Sequence, residues 1–335
     1  MDFGTINSYI LLGGGKLLFN IALEFKKKNL PLLVISSSRH LEEKITKNSL
    51  KKCLEEREIE YIITEKINED KKVIERIDQH TLGISIGAAW ILRKTFIEKF
   101  GGKLINIHGT RLPQNRGGGN FSWQILSNNR LGFCLIHQLE EGIDTGPIIQ
   151  YQEFFYPNSC RLPKDYILKY NENTEKFLMK FIDEVQTGKT FFEINQSEYF
   201  STYWPRLSTK HHGFIDWNWN LQHIESFICA FDDPYGGVTT FINGKKVFLK
   251  KCFIDFNDGG FHPYQKGIIY KKSLDSLFIA TEDGTLIVGE IFDENNLDVS
   301  SQVSVGDRFY TPVEFLDKAK QFRAIYTDKG LKVSK

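Results

Sequence analysis

A doubly wound α/β domain followed by a small β-rich barrel is the fold class this sequence predicts. The chain opens strand–helix–strand, with apolar runs at Ser8–Leu12 and Leu32–Ser36 flanking an amphipathic stretch. Two more short apolar runs, Leu82–Ile86 and Leu104–Ile107, read as buried strands of the same sheet. Beyond Ala230 the pattern changes to short β-rich runs separated by glycine turns, the mark of a small barrel.

Taken in order, Gly13–Gly15 is a tight turn, and Lys16–Lys28 a helix because Leu17, Leu18, Ile21, Ala22 and Phe25 recur on one face. The string Gly13-Gly14-Gly15-Lys16 lacks the spacing of a dinucleotide fingerprint or a phosphate loop, so it reads as a plain strand-to-helix turn. Leu41–Arg57 is expected to be one charged helix with a ragged inner face of Ile45, Leu50, Cys53 and Leu54. Tyr61–Ile63 suits a strand and Val73–Ile77 part of a helix. A clean amphipathic helix over Glu175–Val185 buries Phe177, Leu178, Phe181, Ile182 and Val185, and Phe191–Thr202 reads as a connecting segment. The expected boundaries are 1–195 for the first domain, 196–312 for the β-rich domain and 313–335 for a charged tail. That tail carries a helix near Pro312–Arg323.

The 335 residues suffice for two modest cores, and 41% hydrophobic with 25% charged residues is ordinary for a soluble globular chain. A formal net charge of +1 advertises no nucleic-acid surface. Five cysteines without a C-x-x-C pair argue against a zinc site or a disulfide framework and fit a reducing cytoplasm. The apolar start is cut short by glycines, so neither a signal peptide nor a membrane span is expected.

Chemistry concentrates between Leu104 and Gln150. Asn106 and His108 stand two apart on a strand and therefore face one side. A glycine- and proline-rich loop follows, and Asp144 lies in a later glycine-bounded turn. An amide, an imidazole and a carboxylate can serve as oxyanion donor, acid or base, and proton partner in acyl transfer.

The positions Asn106, His108, Thr110, Leu112, Pro113, Arg116, Gly117, Trp123, Asp144, Thr145 and Gly146 resemble, in order, the signature of the 10-formyltetrahydrofolate-dependent formyltransferases. Gly213, Ile215, Asp216, Trp217, Pro234, Gly237 and Gly244-Lys245-Lys246 resemble the OB-like C-terminal domain of methionyl-tRNA and some sugar formyltransferases. The resemblance implies a Rossmann-like catalytic domain, 10-formyltetrahydrofolate as co-substrate, no metal, and catalytic roles for Asn106, His108 and Asp144. It implies a folate site from Ile86, Gly87, Ala88, Trp90, Ile91 and Leu92 with Leu139, Glu141, Gly142 and Ile143. Thr110, Arg111, Arg116 and Gly117 are then expected on the acceptor side. His137 is expected to be structural packing. His211, His212 and Asp216 read as turn and cap chemistry.

The sequence departs from the family pattern at Arg111 and Asn120, beside the acceptor. The tRNA-directed branch carries a long basic insertion after its second strand, and Ser36–Lys47 holds none. The expected acceptor is therefore the amine of an amino-sugar nucleotide, such as a nucleoside-diphosphate 4-amino-4,6-dideoxy sugar made for surface polysaccharide. Methionyl-tRNA is the alternative, and a non-catalytic folate- or partner-binding relative is the alternative of another class. Hydrolysis of the formyl folate is disfavoured. A homodimer is compatible with the resemblance, and no membrane partner is expected.

Overall fold

The computed structural model describes residues 1–118, 120–257, 259–323, 325–327 and 330–332. Its first half is a seven-stranded sheet built from β1 (Ser8–Gly13), β2 (Leu32–Ser36), β3 (Tyr61–Ile63), β4 (Thr81–Ile86), β5 (Leu104–His108), β7 (Leu131–Gln138) and β8 (Ile148–Phe155). The two-residue β6 (Arg116–Gly117) lies outside it. The order is β3-β2-β1-β4-β5-β7-β8, parallel through β5 and antiparallel beyond. Strands β1 and β4 are apolar and almost fully buried, as strands covered on both faces must be. The helices are α1 (Gly15–Lys27), α2 (Ser38–Glu42), α3 (Leu50–Glu56), α4 (Lys71–Ile74), α5 (Lys94–Ile97), α6 (Asn120–Leu126) and α7 (Pro163–Gln186).

The expected single helix over Leu41–Arg57 is two. Ser37 caps α2 and Ser49 caps α3, each accepting a hydrogen bond from a backbone N–H three residues on, and a Lys44–Ser49 bridge separates them. Helix α7 begins twelve residues before the expected Glu175, with Pro163 in its first turn and Asp165 accepting from the Arg161 and Leu162 N–H groups.

A short β9 (Tyr203–Trp204) and α8 (Thr209–His212) lead to α9 (Leu221–Ala230) and a six-stranded antiparallel sheet. That sheet comprises β10 (Val238–Ile242), β11 (Lys245–Asp255), β12 (Ile269–Lys272), β13 (Leu277–Thr281), β14 (Gly284–Phe292) and β15 (Phe309–Tyr310), in the order β12-β13-β14-β11-β10-β15. Its outer strands meet: Ile269 N–H donates to Asp307 C=O at 2.8 Å, and Phe309 N–H donates to Gly267 C=O at 2.8 Å. The sheet therefore curls round on itself and leaves little open edge. Its core joins that of α9 and also takes Ile125, Tyr156 and Tyr166 from the first half. Helix α10 (Val313–Gln321) follows. Among the described residues no helix is long and apolar enough to cross a membrane.

Candidate active site

In a doubly wound sheet the crevice lies where strand order reverses, outside the carboxyl ends of the strands. Here β1 sits between β2 and β4, so its end at Gly13–Gly14 and the end of β4 at Ile86–Gly87 form that crevice. Gly13 has φ +133, and a Cβ there would collide with the Ile86 carbonyl. Close approach of these two strand ends requires glycine. A cavity of about 610 Å³ opens here.

Strand β5 carries Asn106 and His108 to the cavity. Directly opposite Asn106 in the antiparallel partner β7 stands His137. The loop after β7 brings Asp144 back over both, in a left-handed conformation with φ +54 that few non-glycine residues adopt. Asp144 Oδ2 accepts the Gly117 N–H at 2.9 Å and lies 3.7 Å from His108 Nδ1; its Oδ1 lies 3.5 Å from His137 Nε2. His108 and His137 are buried, and Asp144 nearly so.

Hydrogen bonding fixes the tautomers. His108 Nε2 is 2.9 Å from the Asn115 carbonyl, which can only accept, so the proton sits on Nε2 and Nδ1 carries a lone pair. The Thr110 hydroxyl lies 2.9 Å from the same nitrogen and donates to the Asn115 carbonyl at 3.2 Å. His137 Nδ1 donates to the Gln138 carbonyl at 2.9 Å, leaving a lone pair on its Nε2. The Asn106 amide nitrogen, 3.1 Å away, donates to it and keeps its second hydrogen for another acceptor.

Burial holds His108 below the ordinary imidazole value and outweighs the opposing pull of Asp144, so the ring is neutral at pH 7. Burial alone would raise Asp144. The charge of His108, the contact with His137 and the Gly117 N–H hold it well below the usual carboxylate range instead. The pull from His108 operates when that ring carries a second proton. Chemically, an imidazole nitrogen with a carboxylate 3.7 Å away is able to accept a proton and have the resulting charge stabilised.

Of the residues expected to bind folate, Gly87, Ala88, Trp90, Ile91, Leu92, Leu139, Glu141, Gly142 and Ile143 line this cavity with Asn106, His108 and Asp144. Ile86 does not; it is a core residue ending β4. On the expected acceptor side Gly117 lines it, whereas Arg111 is exposed elsewhere. Thr110 lies in a neighbouring cavity of about 220 Å³ walled by Trp123 and Trp204. Arg116, for which bracing the loop is the alternative to an acceptor contact, has a buried guanidinium that donates to Gln196 at 3.1 and 3.2 Å and to Glu198 at 2.7 Å, bonds that brace the loop. His137, expected as structural packing, is fully buried and also makes polar contacts with Asn106 at 3.1 Å and Asp144 at 3.5 Å.

The connecting segment and the residues just after it hold what sequence reasoning missed. Gln196 Nε2 donates to the carbonyls of Asp144 and Gly146 at 2.8 and 2.7 Å, pinning the strained turn. Strand β9 pairs with β6, and Trp204 lies against Trp123 with ring centroids 4.9 Å apart. Tyr203 and Arg206 reach the large cavity, joining Gly14, Gly15, His40 and Glu43. The glycine turn read as plain is thus a wall of the site. His40 is pushed down to about 4 by burial and by Arg39, so it too is neutral.

Residues 8–154 match the family model described as formyl transferase, and residues 207–302 that described as formyl transferase, C-terminal domain. The methionyl-tRNA formyltransferase of Desulfotalea psychrophila is 28% identical over 187 residues, 56% of each chain, so the match spans a little over half of that relative. WlaRD, a sugar 3N-formyl transferase solved with dTDP and 5-N-formyl-THF, superposes over 89% of this chain and 99% of its own, with TM-score 0.65 and 20% identity. The Helicobacter canadensis N-formyltransferase, solved with folinic acid and dTDP-3-aminofucose, covers 86% of this chain and 100% of its own at TM-score 0.65 and 21% identity. At such identity these structures establish the shared fold.

Proposed function

We propose, from the premise that this chain belongs to the formyl transferase family, that it moves the formyl group of 10-formyltetrahydrofolate to the primary amine of an amino-sugar nucleotide. The observation that carries the reading is the convergence of Asn106, neutral His108 and Asp144 on one cavity that residues of the Gly87–Leu92 and Leu139–Ile143 segments also line. Those segments offer small residues and apolar walls to a flat ring.

Attack by the amine nitrogen on the formyl carbon places negative charge on the formyl oxygen and a proton in excess on nitrogen. The free hydrogen of the Asn106 amide meets that oxygen, a role worth about 3–4 kcal/mol for a preorganised donor. His108 takes the proton at Nδ1, where Asp144 stabilises the resulting imidazolium. Collapse breaks the bond to N10 of the folate, and the His108 imidazolium returns the proton to N10. His137 keeps the Asn106 amide facing the right way.

Two facts support a sugar nucleotide as acceptor. The structures solved with dTDP or a dTDP-sugar share the whole two-domain fold. After β2 the chain passes at once into α2 and α3, with no insertion able to reach a tRNA stem. Methionyl-tRNA is the second reading, favoured by the name of the sequence relative. Incubation with 10-formyltetrahydrofolate and either a panel of amino-sugar nucleotides or charged initiator tRNA separates them. The expected result is a mass gain of one formyl group on a sugar nucleotide; formylation of the tRNA alone overturns the acceptor assignment.

A further inference from the structure

His108, His137 and Asp144 form more than a proton relay. Each imidazole donates its remote N–H to a backbone carbonyl, His108 to Asn115 and His137 to Gln138, both at 2.9 Å. That is the outer-shell bonding that fixes the tautomer of metal-bound histidines. Each ring therefore turns its other nitrogen toward the Asp144 carboxylate, at 3.7 Å from His108 and 3.5 Å from His137. The three donor atoms, His108 Nδ1, His137 Nε2 and an Asp144 carboxylate oxygen, all lie within 4.8 Å of one another. Zinc held at about 2.0–2.2 Å by nitrogen and oxygen sets neighbouring donors about 3.3–3.5 Å apart in a tetrahedron. His137 Nε2 stands 3.5 Å from Asp144 Oδ1 and His108 Nδ1 3.7 Å from Oδ2, so each ring nitrogen lies close to that spacing from one of the two carboxylate oxygens.

We propose that His108, His137 and Asp144 form a binding site for one zinc-like divalent cation, and that the cation shuts off formyl transfer. Two imidazoles and a carboxylate suit Zn²⁺, Co²⁺ or Ni²⁺ and disfavour Mg²⁺ and Ca²⁺, which take oxygen ligands. A fourth position faces the cavity, where water or an acceptor group completes the set. The bound ion takes the Nδ1 lone pair that accepts the amine proton and neutralises the charge on Asp144. It also displaces the Asn106 amide from His137. No spacing rule finds this site, because its ligands come from β5, β7 and the following loop. The inhibitory half rests on the proposed reaction; the binding half does not.

The test uses the full chain without a histidine tag and Zn²⁺ alone, titrated by calorimetry, with Co²⁺ as a spectroscopic stand-in. One equivalent binding wild type at least tenfold more tightly than both His137→Ala and Asp144→Asn, with tetrahedral Co²⁺ bands, is the expected result. Asp144→Asn keeps the shape of the carboxylate and decides the matter if His137→Ala does not fold. Equal affinity in wild type and Asp144→Asn, or the absence of a stoichiometric site, overturns the proposal. In the transfer assay stoichiometric Zn²⁺ is expected to abolish turnover and EDTA to restore it; full turnover of the zinc-loaded protein overturns the inhibitory half. A protein that binds zinc but transfers nothing to any acceptor leaves the site standing and removes the proposed function.

Discussion

Two regions of this molecule bury polar groups, and they do so to opposite ends. In the β-rich half the buried groups are closed off by short bonds. Thr240 accepts from the Trp217 indole at 3.0 Å and donates to the Tyr310 carbonyl at 3.0 Å, while Thr281 donates to the Gly284 carbonyl at 2.7 Å. Asp232 accepts the N–H groups of Asp233 and Lys251 at 2.6 and 2.7 Å. At the end of β5 the Asp144 carboxylate accepts one short bond, from the Gly117 N–H at 2.9 Å, and stands 3.5 and 3.7 Å from the nitrogens of two imidazoles. Buried hydroxyls with full partners specify a fold; a buried charge facing unprotonated nitrogens leaves room for a proton or an ion to arrive.

The sharpest way to break this contrast is to remove the base. His108→Ala should lower kcat by about 10²–10⁴, the range of general acid–base catalysis, while folate affinity measured by calorimetry stays within about threefold. A comparable loss of folate binding would make His108 a scaffold residue. Asn106→Ala should cost about 10²–10³ in kcat, as removal of one oxyanion donor does, with folate affinity again retained.

The pH profile sharpens the same point. Because burial lowers the pKa of His108, the ring loses its proton below its ordinary 6.5, and base catalysis is fully present above that pH. kcat/KM should fall about tenfold per unit on the acid side, with a midpoint below 6.5. A midpoint above 6.5 would mean that the charge of Asp144 dominates and that a protonated ring is the resting state.

The β-rich half predicts the smallest effect on turnover. Thr240→Val leaves the Trp217 N–H and the Tyr310 carbonyl unpaired and should cost about 1–3 kcal/mol in urea unfolding, with kcat within twofold. A drop in kcat larger than the stability change accounts for would erase the distinction between the two regions.

What the sequence made legible follows the locality of the signal. The strands around the crevice were readable because each is a short apolar run, and Asn106, His108 and Asp144 because they sit in one ordered signature. The first half of α7 was hidden because its buried face, Tyr166, Tyr170, Asn171 and Thr174, is made of residues with polar atoms, which blurs the apolar period. Ser49 ahead of Leu50 was a readable cap signal for the break between α2 and α3. His137 stands seven residues before Asp144 but reads as packing from the sequence alone. Its place opposite Asn106 exists only once β5 and β7 pair antiparallel. Gln196, Tyr203, Trp204 and Arg206 were passed over for the same reason, since an irregular segment acquires meaning from what it is laid against.

The most direct test of the account is single-turnover transfer from preloaded 10-formyltetrahydrofolate by wild type and Asp144→Asn. The substitution keeps the shape of the side chain and removes the charge that stabilises the proton on His108. Folate affinity unchanged within about threefold and transfer slowed by about 10³ or more is the result predicted, in line with the loss of a positioned proton partner. Transfer by Asp144→Asn within tenfold of wild type would contradict it, because the ionised carboxylate would then have no part in moving the proton.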